Sequence, residues 1–487
     1  MKICISVASE SRNLAKVDLL NASRQADIVE FCLDHLIKEP NVAELIEGIQ
    51  KPILISCRRR EDGGKWQGTE DERLMLLRQA IVAQPDYVEL DLEIANKIPR
   101  FGKTKRVISF TSLDEPVNDV EEIVRRAVQA KADVVKVTWP TPTLDEAWPM
   151  LAAVSQKREI PVVAAGMGPG GVTFSLLGCK YGAPWIYAAL EKGMESYADQ
   201  PTVSELEELY FWRGIDSHTR FAGIAGMTAV QRASIKVFNT GFAKHELNFR
   251  CLPIVTGRFD RLGKMLDVLK ITSIVTGPEA GELVFPLAEK SEDAAKEAGY
   301  ADLLLKQPDG WHAYNTLWRG VLKSLEARLG KTTDEDRPLD RRNVLIVGHG
   351  PATRSIVYGL LRRKAMLSIA SPDDKASRKL AEHFNIRHVP FASLYDTLAD
   401  VVVFSHEELQ LGHRKIDFNP AYLRPQMTVL DVSDLLEETP VLAESRARRC
   451  PVVEGSEVFA DQLATQFKSM TGKELPSSAL REALAAE

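Results

Sequence analysis

The stretch Ala132-Asp133-Val134-Val135-Lys136-Val137-Thr138-Trp139-Pro140 decides how the first half of the chain is read. Its four β-branched residues and its closing proline predict a short β-strand. Lys136 stands in the middle of that apolar run. A lysine there gives up its hydration, a large cost unless its pKa drops or a partner compensates. It is therefore either an edge residue whose head snorkels to water or a neutral amine able to attack a carbonyl.

Similar short β-rich runs recur on both sides: Ile3–Val7, Ile28–Phe31, Ile53–Cys57, Tyr87–Leu90, Val107–Phe110, Val134–Thr138, Val162–Ala165 and Trp185–Ala188. Helical patterns lie between them, as in Thr69–Ala83 and Val120–Ala130. Eight βα units in about 200 residues predict a closed parallel (β/α)8 barrel, with an open doubly wound sheet as the alternative. The count of eight favours closure. Barrel sites form at the carboxyl ends of the strands, where polar residues collect here. Glu30, Arg58, Glu89, Asp91, Ser109, Thr111 and Lys136 end successive strands. Met167–Gly171 follows the seventh, and Ser196 and Gln200 follow the eighth.

The whole chain has 487 residues, 45% hydrophobic and 27% charged, the profile of a globular protein of several domains. A net charge of -6 argues against nucleic acid or an anionic membrane as the main partner. No apolar run approaches a membrane span, and MKICISVASE enters a strand directly, without a signal-peptide core. Six scattered cysteines without CxxC spacing fit a reducing compartment and no metal cluster. A cytoplasmic enzyme acting on small molecules is expected.

Residues 1 to about 205 resemble the type I 3-dehydroquinate dehydratases. The resemblance rests on Ile28-Val29-Glu30-Phe31, Ile55-Ser56-Cys57-Arg58 with Gly63-Gly64, Tyr87-Val88-Glu89-Leu90-Asp91 and Val135-Lys136-Val137. Met167-Gly168 and Ser196–Gln200 continue it in order. It implies a TIM barrel in which Lys136 forms a Schiff base with the substrate ketone. It also implies that Glu30, Arg58, Ser196 and Gln200 hold the substrate. Some family positions differ: the general acid/base histidine is Thr111, a carboxylate-clamping arginine is Ser175, and another arginine is Cys32. His35 is the one histidine nearby.

Beyond Tyr210 the pattern breaks, and a fresh strand begins at Phe221. The clearest signal there is Asn343-Val344-Leu345-Ile346-Val347-Gly348-His349-Gly350-Pro351-Ala352-Thr353-Arg354. A buried strand runs into a glycine turn and a helix, the setting of a dinucleotide-binding turn formed by Gly348, Gly350, Pro351, Ala352, Thr353 and Arg354. The βα alternation continues through Met366–Ala370, Val401–Phe404 and Val429–Val432.

Residues 220–480 resemble shikimate dehydrogenase, through Ile274–Pro278, Asn315-Thr316 with Gly320, Asp431-Val432-Ser433, Glu438–Leu442, Gly455 and Gln462. The order dehydratase then dehydrogenase is that of bifunctional shikimate-pathway enzymes. The resemblance implies substrate contacts from Ser234, Asn315 and Gln462 and an NADP or NAD cofactor, with no metal. The family's catalytic lysine and aspartate are Ala280 and Leu317, one carboxylate-binding serine is Arg232, and a substrate-binding asparagine is Asp302. Ser371-Pro372-Asp373 replaces the reader of the NADP 2′-phosphate, and Asp373 and Asp374 would repel that group. Lys375 and Arg378 would offset this in part.

The expected organisation is an α/β chain with a barrel over 1–205 and a linker over 206–220. A substrate domain over 221–330, completed by helices at 455–480, and a Rossmann domain over 331–454 follow. The implied function is dehydration of 3-dehydroquinate followed by NAD(P)-dependent reduction of 3-dehydroshikimate. The alternatives are a degenerate metabolite-binding relative and a chain active in its first half alone.

Overall fold

The computed structural model describes residues 1–484 except Thr256, Arg258, Thr332, Asp334 and residues 406–417. It divides into two compact units, Met1–Phe221 with His245–Lys270 and Ala222–Lys244 with Ile271–Glu487.

The first unit carries strands β1 (Lys2–Val7), β2 (Ile28–Cys32), β3 (Ile53–Ser56), β4 (Tyr87–Asp91), β5 (Lys105–Thr111), β6 (Val134–Pro140), β7 (Val162–Met167) and β8 (Trp185–Ala189). They run parallel in the order β7-β6-β5-β4-β3-β2-β1-β8, so a barrel forms with its seam between β7 and β8. The helices form where the sequence signals them. Thr69 and Glu72 close a capping box on Glu70–Val82, worth about 1 kcal/mol. In Val120–Gln129 the residues Val120, Ile123, Val124 and Ala127 bury one face at helical spacing.

Alternation along the strands stacks the barrel interior in layers. The lower layer is apolar and contains Cys4, Ile28, Leu54, Val107, Val134, Val163 and Trp185. Two residues further along each strand come Ser6, Glu30, Ser56, Glu89, Ser109 and Lys136, all buried. Arg58, Asp91, Thr111 and Thr138 occupy the next level, toward the carboxyl ends. The site is thus the point where a hydrophobic core turns polar.

Residues 206–220, expected as a linker, are packed: Leu206, Tyr210 and Trp212 are buried, and Glu205–Leu209 and Trp212–Gly214 are helical turns. The segment is too apolar to stay in water.

Further strands are β9 (Arg220–Ala225), β10 (Phe249–Ile254), β11 (Ser273–Thr276), β12 (Lys290–Ser291), β13 (Leu303–Gln307) and β14 (Gly310–Tyr314). Five lie side by side as β9-β11-β13-β14-β12, with β13 antiparallel to both its neighbours. Then come β15 (Asn343–Val347), β16 (Met366–Ala370), β17 (Arg387–His388), β18 (Val401–Phe404), β19 (Thr428–Asp431) and β20 (Val452–Val453). Their order, β17-β16-β15-β18-β19-β20, is the doubly wound order, with its switch point between β15 and β18. Helix Gly455–Thr471 packs on Leu317–Arg328, and the approach needs Gly320, where a Cβ would meet the Val458 carbonyl oxygen at 2.7 Å. Among the described residues no helix is long and apolar enough to cross a membrane.

Candidate active site

Lys136 is 2% exposed, so it is not an edge residue whose head reaches water. It is an ammonium held between two buried carboxylates. Its Nζ donates to Glu89 Oε2 at 2.8 Å and lies 3.7 Å from Glu30 Oε1. The Tyr187 ring closes a further side, with its centroid 4.5 Å away. Burial alone would push the amine's pKa down, but the charges of Glu30 and Glu89 outweigh it and raise the pKa above the ordinary lysine value. Burial likewise raises Glu30, yet the charges of Lys136 and Arg58 and the Ser6 hydroxyl bring it down to about 2.

The other residues expected around Lys136 do converge. Ser6 Oγ donates to Glu30 Oε2 at 2.6 Å, and Gln200 Nε2 donates to Ser6 Oγ at 3.2 Å. Gln200 Oε1 accepts from the Ser196 backbone N–H at 2.7 Å and from its hydroxyl at 3.1 Å, tying the loop after β8 over the strand ends. Arg58 Nη2 reaches the Ser196 carbonyl at 3.5 Å. Arg58 Nε and Glu30 Oε1 have no hydrogen-bond partner among the described residues, one donor and one acceptor left for a ligand.

Glu89 is the amine's hydrogen-bond partner, and a sequence reading that placed it at a strand end gave it no role. The signal was the one that exposed Lys136, a charge inside an apolar strand, here Tyr87–Asp91. Ser175 turns back to the Gly171 carbonyl at 3.3 Å, so it replaces no arginine. His35 does not join the amine. It lines a cavity of about 580 Å³ with Leu36, Ile37, Trp66 and Met75, and burial pushes its pKa down.

In the second unit Asp302 is the hub. It is 1% exposed and accepts from the backbone N–H groups of Thr316 at 2.7 Å and Leu317 at 2.9 Å. The Thr316 hydroxyl donates at 3.0 Å, and Gln462 Nε2 donates at 3.0 Å from the far end of the chain. Burial outweighs these bonds and pushes its carboxyl up to about 6. Asn315 Oδ1 accepts from Ser355 Oγ at 2.6 Å, and its Nδ2 reaches the Tyr300 carbonyl at 3.4 Å. Gln462 therefore joins the Asp302 bonds, while Asn315 is held by a separate pair of bonds to Ser355 and Tyr300. Ser234 stands apart, its hydroxyl donating to the Val230 carbonyl of its own helix at 2.8 Å.

The glycine turn follows β15 at the switch point. Gly350 has φ 107 and ψ -172, a conformation open to glycine alone, and a Cβ there would enter open space. Helix Pro351–Arg362 begins at once, with Ala352 and Thr353 in its first turn. These features fit a dinucleotide pyrophosphate. Two expected contacts are otherwise engaged: the Thr353 hydroxyl pairs with Ser405 Oγ at 2.9 Å, and Arg354 binds Glu282 and the Ala298 carbonyl. A cavity of about 330 Å³ beside the turn is lined by His349, Gly350, Arg354, Lys379, Leu380 and His383. Asp373 caps the next helix, accepting from the Ala376 N–H at 2.9 Å. A Gly350→Ala substitution is expected to cost about 1–3 kcal/mol of stability and to weaken nucleotide binding. Urea melts and NADH titration measure the two effects.

Comparison with known proteins agrees with this geometry. Residues 3–217 match the family model for type I 3-dehydroquinase. Over 97% of its length the chain is 25% identical to the chloroplastic bifunctional 3-dehydroquinate dehydratase/shikimate dehydrogenase of Arabidopsis thaliana, covering 82% of that protein. The NADP(+) shikimate dehydrogenase of Acidiphilium cryptum is 27% identical over 56% of this chain and 98% of its own. The 3-dehydroquinate dehydratase of Desulfotalea psychrophila is 26% identical over 43% of this chain and 96% of its own. Residues 3–217 are thus similar to type I 3-dehydroquinase, and the chain over nearly its whole length is similar to a fused 3-dehydroquinate dehydratase/shikimate dehydrogenase.

Proposed function

We propose that this protein is a two-site shikimate-pathway enzyme. Its barrel dehydrates 3-dehydroquinate through a Schiff base on Lys136, and its second unit reduces 3-dehydroshikimate with a nicotinamide cofactor. The observation that carries the dehydratase reading is the buried Lys136 amine, hydrogen-bonded to Glu89 at 2.8 Å in a barrel that matches the dehydroquinase family. Arg58 Nε and Glu30 Oε1, which make no hydrogen bond among the described residues, would supply a donor and an acceptor for the substrate's carboxylate and hydroxyls. Ser196 and Gln200 join the same hydrogen-bonded cluster from the loop after β8.

The nicotinamide cofactor would supply the hydride in the second unit. The turn from Gly348 to Arg354 would hold its pyrophosphate, through backbone N–H groups rather than through the Thr353 and Arg354 side chains. Asp373 next to the turn disfavours a 2′-phosphate, so NADH is expected to bind more tightly than NADPH. Asn315 and Gln462 would contact substrate, with Ser234 beside them only if its hydroxyl leaves Val230. Asp302 is the buried acid available there for the proton that accompanies hydride transfer.

Borohydride reduction in the presence of 3-dehydroquinate tests the first site. A mass adduct on the Lys136 peptide supports the reading, and its absence sinks it. Fluorescence titration with NADH and NADPH tests the second, and failure to bind either overturns the reductase reading. The positions Ala280 and Leu317 favour a second reading for that unit, binding without turnover. Bound nucleotide with no reduction of 3-dehydroshikimate would select it.

A further inference from the structure

We propose that Glu89 carries protons between the Lys136 amine and the substrate carbonyl oxygen, in place of the missing imidazole. This rests on the dehydratase reading of the barrel. Three observations lead to it. Glu89 Oε2 is 2.8 Å from Lys136 Nζ in a buried pair, so a proton passes between them without solvent. Thr111, on the neighbouring strand and one interior layer above Lys136, bears a hydroxyl that does not exchange protons near neutrality. Glu30, the other carboxylate, lies 3.7 Å from the amine and commits one oxygen to Ser6. Its low pKa of about 2 makes it a weak base.

The chemistry balances with Glu89 alone. Its carboxylate takes a proton from the Lys136 ammonium, and the freed nitrogen pair forms a bond to the carbonyl carbon. The carbonyl π pair moves to oxygen, which receives that proton from Glu89. Glu89 then removes a second proton from nitrogen and returns it to the carbinol hydroxyl. The C–O bond breaks, water leaves, and the iminium forms. Glu89 ends as the carboxylate it began as, and no other reactant is needed.

The rate of borohydride-trappable adduct formation with 3-dehydroquinate decides the role, because a structural role and a catalytic one have opposite signs. If Glu89 merely holds the amine charged, Glu89→Gln leaves more neutral lysine at pH 7 and trapping speeds up. If it carries protons, Glu89→Gln slows trapping by roughly 10²-fold or more. The slowed rate then climbs with pH as hydroxide replaces the lost base, while the wild-type profile stays flatter. That profile is read against the groups facing Glu89: Lys136, Glu30, Arg58, Cys4 and Tyr187. Glu89→Asp keeps the charge one methylene further back and is expected to lie between the two. It also serves should the glutamine variant fail to fold. Adduct formation in either variant at or above the wild-type rate overturns the proposal. No adduct in the wild type sinks the dehydratase reading, and the proposal with it.

Discussion

Lys136→Met is expected to abolish the trapped adduct and to cost about 3–5 kcal/mol of stability at pH 7.5. Methionine fills most of the space, so little of that loss comes from a cavity. It comes from Glu30 and Glu89, left buried beside each other with Arg58 as the remaining cation of the site. The pH dependence follows from the sign of the shifts. In the native protein Glu30 sits well below its unfolded value, so its stabilisation is present above about pH 4.5 and is lost as pH falls through about 2. In the variant Glu30 keeps the burial that raises its carboxyl and loses the Lys136 charge that lowers it, so the folded state is expected to bind more protons. The penalty is then full at neutral pH and eases as the solution is acidified toward 5. Urea midpoints at pH 7.5 and pH 5 measure this. A loss of equal size at both values would mean that packing, rather than uncompensated charge, sets the cost.

Leu317→Asp would restore the aspartate of the dehydrogenase pattern, yet it is expected to cost about 3 kcal/mol or more and to bring no gain in reductase activity. Leu317 is 4% exposed and belongs to the core cluster that holds Val321, Leu325, Ile356 and Val458. Its backbone N–H already donates to Asp302 Oδ2 at 2.9 Å, so a new carboxylate would lie beside an existing one. Adding Asp302→Asn should return part of the loss, because one of the two like charges is then gone. A double-mutant cycle in urea reads that coupling directly. If the single variant matches the wild type in stability, Leu317 is not the apolar anchor that its burial implies.

Much of the fold was legible in residue order because burial in a parallel barrel leaves a plain mark. Each barrel strand is a short apolar, β-branched run with turn signals on both sides, and every end of the eight observed strands lies within two residues of the expected one. The same holds for Asn343–Val347 and Met366–Ala370, since strands covered on both faces need no alternation to be recognised. The segment 206–220 misled for the converse reason. A broken periodicity was read as a linker, although Leu206, Tyr210 and Trp212 supply enough apolar surface to be buried.

The sequence by itself determined the element order, the glycine turn at the switch point, and the presence of a lysine where hydration is lost. All three depend on neighbours a few residues away. The tertiary structure alone decided the lysine's charge. Glu30 and Glu89 stand 106 and 47 positions before Lys136, and only the parallel stacking of β2, β4 and β6 in one barrel layer brings their carboxylates to its amine. Gln462 reaches Asp302 across 160 positions in the same way. Coulomb energy falls with distance in space and takes no account of distance along the chain, so a protonation state becomes readable only once the fold has set the separations.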